Sequence, residues 1–239
     1  MKGGIEIPLF VHKAKFDANK KQIWDWYNSD GAFRRIMPEW EGIQPINAGR
    51  LVDGEETIFK VKMGPLRQKW VARHHSVVPG ESFADRMIKG PFGAWNHHHE
   101  FESNSGKETS IIDNVEYKLP LHIFTGWSAG FTVLPRMKQM FEFRSVRVAN
   151  DLKQIQATAE LPRQRILVSG STGMIGLQLC AFLEAAGHDV HRLLRPTTKL
   201  PSDVDSAKVV RWDDLSGEIL EGDMNGFDSI IHLAGAGIG

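Results

Sequence analysis

A glycine-rich turn between an apolar segment and a helical pattern constrains this chain most. The apolar residues 165–169 lead into Gly170, Gly173 and Gly176, which have the spacing G-x-x-G-x-x-G. A strand that runs into such a turn and then into a helix is typical of a dinucleotide-binding fold. The chain ends at Gly239, and a complete enzyme of this kind needs more residues after the turn. We therefore expect an incomplete nucleotide-binding unit that follows a different domain.

Each glycine of the turn has its own expected role. Gly170 permits the tight bend, Gly173 lets the backbone approach a pyrophosphate, and Gly176 lets the helix pack close to the strand. Peptide N–H groups at the helix start then point at the phosphates. The alternative is a purely structural turn, which the flanking strand and helix make the weaker interpretation. The cofactor-binding residues predicted here are Gly170, Ser171, Thr172, Gly173, Met174, Ile175 and Gly176.

The residue after the second predicted strand, 189–194, distinguishes the two nicotinamide cofactors. NAD sites usually offer Asp or Glu there, which binds the ribose 2′-hydroxyl. This chain has Arg195 instead, and a guanidinium can pair with a 2′-phosphate. We therefore predict NADP, with NAD less favoured; the alternative for Arg195 is a solvated side chain.

The rest of the C-terminal segment alternates strands with a helix. Apolar patterns predict strands over 165–169, 189–194, 208–212 and 229–234, and a helix over 174–186 that ends at Gly187. Right-handed crossovers would place these strands side by side in a parallel sheet.

Four markers in order resemble the epimerase-like branch of the extended short-chain dehydrogenase/reductase superfamily, the NAD-dependent epimerase/dehydratase family. They are the glycine turn, Arg195, Trp212-Asp213 and Leu233-Ala234-Gly235-Ala236. The resemblance implies that Asp213 lies near the adenine, and that Leu233, Ala234 and Gly235 belong to the cofactor site beside the nicotinamide-side ribose.

The same superfamily uses a Tyr-x-x-x-Lys pair for catalysis. This chain has two tyrosines, Tyr27 and Tyr117, and neither is followed by lysine four positions later. We therefore predict no catalytic residue and an inactive, truncated chain whose parent protein is an NAD(P)-dependent epimerase, dehydratase or reductase.

The N-terminal part has strand periodicity. Alternating apolar residues and hairpin turns predict strands over 57–63, 69–78, 82–89, 94–102 and 108–119. Helices are predicted over 20–27, over 31–36 and from about residue 133. The last helix carries one apolar stripe: Leu134, Met137, Phe141, Val148 and Leu152. A curved antiparallel sheet around this helix would bury the stripe and leave a cavity.

This order of elements resembles the START/polyketide-cyclase-like (SRPBCC) superfamily of helix-grip proteins. Aromatic segments over 24–27, 70–74 and 90–95 add to the resemblance, which implies an apolar ligand between sheet and helix. The predicted fold is thus an α+β helix-grip domain over 1–152 and a linker over 153–164. An incomplete α/β Rossmann-like parallel sheet over 165–239 follows.

Aromatic and histidine side chains are the candidates for the cavity wall: Trp70, Phe83, Trp95, His97 and His99. On a strand His97 and His99 share one face, and a third ligand such as His74 or His75 could complete a metal site. No carboxylate or cysteine has a suitable fixed spacing. We therefore favour histidines that line the cavity or pair across strands, and we predict no metal; the aromatic residues could equally fill the core.

Composition limits the class of partner. Basic and acidic residues number 29 each, so no net positive charge attracts nucleic acid. The chain has one cysteine, Cys180, and no apolar run of membrane-spanning length, so we expect a cytoplasmic protein. Expected partners are a small apolar ligand and a second copy that pairs through the open sheet edge. The alternative function is a non-enzymatic ligand-binding or regulatory protein that uses the helix-grip domain.

Overall fold

The computed structural model describes residues 8–63, 65–119, 129–213 and 215–235. Ala236, the last residue of the Leu-Ala-Gly-Ala signature, lies outside these ranges. The N-terminal elements are β1 (Leu9–Phe16), α1 (Lys20–Tyr27), α2 (Ala32–Ile36), a 3₁₀ turn (Glu39–Glu41), β2 (Gln44–Asn47), β3 (Glu56–Met63), β4 (Leu66–Val78), β5 (Ser82–Lys89), β6 (Ala94–Ser105), β7 (Glu108–Lys118) and α3 (Ala129–Ala157).

The seven N-terminal strands form one antiparallel sheet in the order β1-β7-β6-β5-β4-β3-β2. Long helix α3 packs against one face of this sheet through two buried groups of side chains. Met137 and Phe141 join the aromatic residues of β3, β4 and β6, whereas Val148 and Leu152 pack on α1 and the ends of β5 and β6. This arrangement confirms the predicted helix-grip class.

Helix α3 differs from the prediction at both ends. It begins at Ala129 and runs to Ala157, so residues 153–157 of the predicted linker are helical. Leu134 is 39% exposed, in contrast to the rest of the predicted stripe. Pro135 lies inside the helix and cannot donate a backbone hydrogen bond, which interrupts the regular pattern of the first turns.

The C-terminal elements are β8 (Arg165–Ser169), α4 (Met174–Ala185), β9 (Asp189–Leu194), a 3₁₀ turn (Ser206–Lys208), β10 (Val209–Trp212), β11 (Ile219–Glu221) and β12 (Ser229–His232). Their sheet has the order β11-β10-β9-β8-β12, in which β11 is antiparallel to β10 and the other pairs are parallel. The four parallel strands have the order of half a doubly wound nucleotide-binding sheet, which confirms the predicted α/β class. Strand β11 was not predicted, because three residues are too few for a pattern.

The two parts of the chain contact each other where α2 meets α4. A Cβ at Gly31 would lie 1.8 Å from the carbonyl oxygen of Ala181, so only glycine allows this approach. The guanidinium of Arg35 binds the carboxylate of Asp151 at 2.8 and 2.5 Å, and it also donates to the side-chain oxygen of Gln178 at 3.1 Å. Helix α2 therefore connects α3 of the first domain with α4 of the second.

None of the helices in the described part of the chain has both the length and the apolar character needed to cross a membrane.

Candidate nucleotide site and cavity

The turn after β8 requires glycine at its first position. Gly170 has φ +66°, which L side chains rarely adopt. A Cβ there would lie 2.7 Å from the backbone nitrogen of Ala234 and from the carbonyl carbon of Leu233. The turn after β8 and the segment after β12 therefore touch through backbone atoms. Leu233 also donates its N–H to the carbonyl of Ser169 at 3.2 Å.

The other two glycines differ in how much space surrounds them. A Cβ at Gly176 would lie 2.2 Å from the carbonyl oxygen of Gly170, so glycine permits α4 to pack on the end of β8. A Cβ at Gly173 would meet nothing nearer than 3.4 Å. Gly173 is the N-cap of α4, and no side chain caps this helix. The first N–H groups of α4 therefore remain available to an anion.

The residues between these glycines are unequally exposed. Ser171 is fully buried, and its hydroxyl oxygen has no hydrogen-bond partner among the described residues. Thr172 is half-buried. Met174 and Ile175 are 78% and 67% exposed, although both are apolar and start a helix. A molecule bound at this helix terminus would cover them.

Arg195 is exposed and directly follows the last residue of β9. The loop that it begins is held by a second arginine, which the sequence analysis missed. Arg211 of β10 donates from one nitrogen to the carbonyl oxygens of Arg195 at 2.9 Å and Thr198 at 3.1 Å. Arg211 is thus a positioning residue for this loop. Only the pairing of β10 with β9 brings the two arginines together.

The remaining predicted cofactor residues lie at the same edge of the sheet. Asp213 follows β10, and its carboxylate accepts hydrogen bonds from the N–H of Leu215 and the hydroxyl of Ser216, both at 3.0 Å. These bonds close the turn toward β11. Leu233, Ala234 and Gly235 follow β12. All predicted cofactor residues therefore lie at or just beyond the carboxyl ends of parallel strands, where doubly wound sheets bind ligands.

A second candidate site is a cavity of about 420 Å³ between the seven-stranded sheet, α2 and α3. Its wall is mainly apolar and includes Phe33 and Ile36 of α2 and Met137 and Met140 of α3. The five residues predicted from the sequence to line a cavity all lie in its wall: Trp70, Phe83, Trp95, His97 and His99. Trp70 is stacked on Phe59 with ring centroids 5.4 Å apart, so the aromatic residues form a continuous wall.

A polar cluster interrupts this apolar wall. Asp85 of β5 is paired with His97 of β6, and His99 is paired with Asp113 of β7. His97 lies 3.5 Å from Asp85 through Nδ1 and 3.1 Å from Asp113 through Nε2. His99 lies 3.8 Å from Asp85 through Nε2 and 2.7 Å from Asp113 through Nδ1, the latter as an ionic contact not aligned as a hydrogen bond. The two imidazoles therefore lie between two carboxylates, with ring centroids 3.8 Å apart.

These four groups change one another's pKa. Burial by itself raises the pKa of Asp113, but His99 and His97 outweigh it and hold the pKa of that carboxyl well below its usual range. The pKa of Asp85 is lowered against burial by the same histidines. Burial and the charge on His99 lower the pKa of His97, whereas Asp113 and Asp85 overcome burial and raise the pKa of His99. His99 is therefore the more basic of the two imidazoles.

Neither carboxylate of this cluster was predicted from the sequence. The signal was present, because alternation along a strand places Asp85 on the face of Phe83 and Asp113 on the face of Ile111. What a single strand does not show is the register that brings these faces together. His75, named as an alternative metal ligand, lies outside the cluster, where its Nε2 contacts the side-chain oxygen of Asn96 at 3.1 Å.

Further polar groups mark the cavity wall. His74 is buried; its Nε2 contacts the hydroxyl of Thr57 at 3.1 Å, and its Nδ1 has no partner among the described residues. Burial lowers the pKa of His74. Glu41 is buried as well and binds Arg136 of α3 at 2.8 Å. The cavity can therefore offer an imidazole nitrogen to a ligand that is otherwise apolar.

Comparison with known proteins gives matches to both parts of the chain. The nucleoside-diphosphate sugar epimerase from Corynebacterium glutamicum has 27% sequence identity and a TM-score of 0.70; the match covers 95% of this chain and 46% of that chain. This chain thus spans about half the length of that protein.

Two smaller structures match at lower similarity. Zhui aromatase/cyclase from Streptomyces sp. R1128 has 14% identity and a TM-score of 0.48, with 64% of this chain and 98% of that chain covered. A START superfamily protein from Mycobacterium smegmatis has 9% identity and a TM-score of 0.46, with 62% and 98% covered. No curated protein sequence matches the chain. Residues 166–239 match the model of the NAD dependent epimerase/dehydratase family, so the C-terminal part of this chain is similar to that family.

Proposed function

We propose that this chain binds NADP(H) at the carboxyl edge of its parallel sheet, as part of a nucleotide-sugar-epimerase-like protein. The observation that carries the proposal is the turn from Gly170 to Gly176, where a Cβ at Gly170 or at Gly176 would lie only 2.7 or 2.2 Å from backbone atoms. The uncapped start of α4 would hold the pyrophosphate, and the segment after β12 would lie beside the nicotinamide-side ribose. When bound, the cofactor supplies hydride-transfer chemistry. The residues present fit such a group.

The choice of NADP over NAD depends on the loop after β9. Arg195 stands where NAD sites usually have a carboxylate, and Arg211 holds the backbone of that loop through its carbonyl oxygens. A 2′-phosphate is a dianion that a guanidinium binds through two parallel hydrogen bonds. We therefore assign the 2′-phosphate to Arg195.

Titration with NADPH and NADH, followed by fluorescence of the reduced nicotinamide, tests this assignment. Arg195→Ala should weaken NADPH binding by about 10- to 100-fold, the value of a charge-assisted hydrogen bond, and change NADH binding little. Arg163→Ala is the matched control, because Arg163 is exposed and precedes β8 at the opposite edge of the sheet. Equal losses for both cofactors would contradict the choice of NADP. Absence of binding below about millimolar concentration would contradict nucleotide binding itself.

We also propose that the cavity of the first domain binds an apolar molecule with a polar end. Its volume suits a small organic ligand, and the unpartnered Nδ1 of His74 would bind the polar end. Native mass spectrometry of the purified chain and titration with 1-anilinonaphthalene-8-sulfonate test this. Ala72→Leu narrows the cavity and should weaken binding of the dye. Val78→Leu, at the exposed end of the same strand, should leave binding of the dye unchanged. Equal dye binding by all three proteins would oppose the proposal.

The alternative is a ligand-binding or regulatory protein without catalysis. It is favoured by one observation, namely that the cavity is present in a chain that has no Tyr-x-x-x-Lys pair. The two titrations distinguish these functions. If the dye binds in the cavity and neither NADPH nor NADH binds the chain, the results would support the alternative.

A further inference from the structure

We propose that Asp85, His97 and His99 form a binding site for a divalent transition-metal ion in the wall of the cavity. The three side chains come from adjacent strands β5 and β6 and each offers one ligand atom, and these atoms all lie within 4.8 Å of one another. All three residues line the cavity. This site is independent of the nucleotide proposal, because it lies wholly within the helix-grip domain.

The spacing of the donor atoms suits such an ion. Zinc binds imidazole nitrogen and carboxylate oxygen at about 2.0–2.2 Å, which places tetrahedral donor atoms roughly 3.4 Å apart. The oxygen of Asp85 lies 3.5 Å from Nδ1 of His97 and 3.8 Å from Nε2 of His99. The Asp85 oxygen is thus within a few tenths of an ångström of this spacing to each imidazole, and all three donor atoms lie within 4.8 Å of one another. Two imidazoles and one carboxylate are a donor set used for zinc and for non-haem iron.

Asp113 occupies the position expected of an outer carboxylate. It faces the ring nitrogens that point away from Asp85, at 3.1 Å from Nε2 of His97 and 2.7 Å from Nδ1 of His99. Histidines that bind a metal usually donate their other N–H to a carboxylate, which fixes the ring orientation. Oδ1 of Asp113 is hydrogen-bonded to Nε2 of His97 and lies in ionic contact with Nδ1 of His99, so it can orient His97 directly and stay close to His99. An ion-pair network formed by chance has no need to place one carboxylate at one nitrogen of each imidazole and the other carboxylate at the opposite nitrogens.

The surroundings define what the ion could do. Three protein ligands leave one or more coordination positions, and the apolar cavity is the space beside the three ligands. We therefore assign to the ion a ligand that has an oxygen donor, such as a carbonyl or phenolate, on an apolar body. A metal ion in this position would polarise that oxygen as a Lewis acid.

Binding of Co²⁺ and Zn²⁺ to the full chain after treatment with a chelator tests the site. We expect one Co²⁺ per chain with the strong visible absorption of a four- or five-coordinate ion, which Zn²⁺ displaces. His97→Ala, His99→Ala and Asp85→Asn should each abolish the absorption. Asp113→Asn should weaken affinity by about 10- to 100-fold without removing the signal. His98→Ala is the matched control, because His98 lies on the same strand with its side chain on the opposite face.

Two further measurements keep the result interpretable. Circular dichroism separates loss of the ion from loss of the fold, and Asp85→Asn preserves side-chain shape if the histidine variants do not fold. Zn²⁺ should raise the unfolding temperature of the wild type and of His98→Ala but not of Asp85→Asn. The proposal is overturned if the wild type binds no stoichiometric ion below about millimolar concentration. It is also overturned if His98→Ala loses the ion as fully as His97→Ala, because the ion would then lie on the surface.

Discussion

The contact between Arg35 and Asp151 predicts a large loss of stability when the guanidinium is removed. Arg35 is 7% exposed and Asp151 is 2% exposed, and two charge-assisted hydrogen bonds join them. Arg35 also donates to Gln178 of α4, and its guanidinium lies 5.6 Å from the ring centroid of Phe182. The substitution Arg35→Met keeps the apolar stem but removes the charge and the hydrogen bonds of the guanidinium, which leaves the Asp151 carboxylate buried without this partner.

The magnitude follows from this burial. Removal of one partner from a buried ion pair costs about 3–5 kcal/mol, because the remaining charge is not compensated. The double variant Arg35→Met with Asp151→Met removes both charges and should lie within about 1–3 kcal/mol of the wild type, since the bond to Gln178 is still lost. Asp151→Met alone should likewise cost about 3–5 kcal/mol, so the coupling energy between the two positions should be at least about 3 kcal/mol.

Urea unfolding monitored by tryptophan fluorescence measures these differences, since six of the seven tryptophans precede residue 130. The control is Lys13→Met, which removes the ion pair with Glu102. The side chains of Lys13 and Glu102 are 55% and 44% exposed, so this substitution should lower the free energy of unfolding by under about 1 kcal/mol. A loss below about 1 kcal/mol for Arg35→Met, or a double variant as unstable as the single one, would refute the reasoning.

Two further predictions concern α4. Gly176→Ala places a Cβ 2.2 Å from a carbonyl oxygen, so we expect the free energy of unfolding to fall by about 1–3 kcal/mol and nucleotide binding to be lost. Gly173→Ala places its Cβ 3.4 Å from the nearest atom and should keep the stability of the wild type. Equal unfolding temperatures for the two variants would contradict this prediction. Burial raises the pKa of the Cys180 thiol to about 11, so at about pH 9 only the unfolded chain forms thiolate. Stability should therefore fall as the pH rises above the unfolded value, and iodoacetamide should label Cys180, detected by mass spectrometry, only in urea; rapid labelling of the native protein would show that the thiol is accessible.

The local motifs of this chain were readable without a structure because their causes are local. The left-handed conformation of Gly170 and the tight packing at Gly176 arise within seven residues of one another. Strands and helices were likewise predictable where apolar residues recur with period two or along one helical stripe, as in 57–63 and 20–27. The resemblances to helix-grip proteins and to the epimerase-like branch predicted the order of the two domains.

Contacts between distant segments were decided by the tertiary structure alone. Sequence alternation places His97, Asp85 and Asp113 on faces of three strands, but it does not contain the register that brings those faces together. The position of Arg211 beneath the loop of Arg195 depends on strand pairing in the same way.

The sequence by itself thus determined the kind of most of the longer elements and the glycine turn, because dihedral preference and periodicity act between near neighbours. The tertiary structure decided the polar cluster in the cavity and the contact of α2 with α4, because a pair such as Arg35 and Gln178 is separated by 143 positions along the chain. No local preference specifies a contact over that separation; the contact exists only because the two parts of the chain pack against each other.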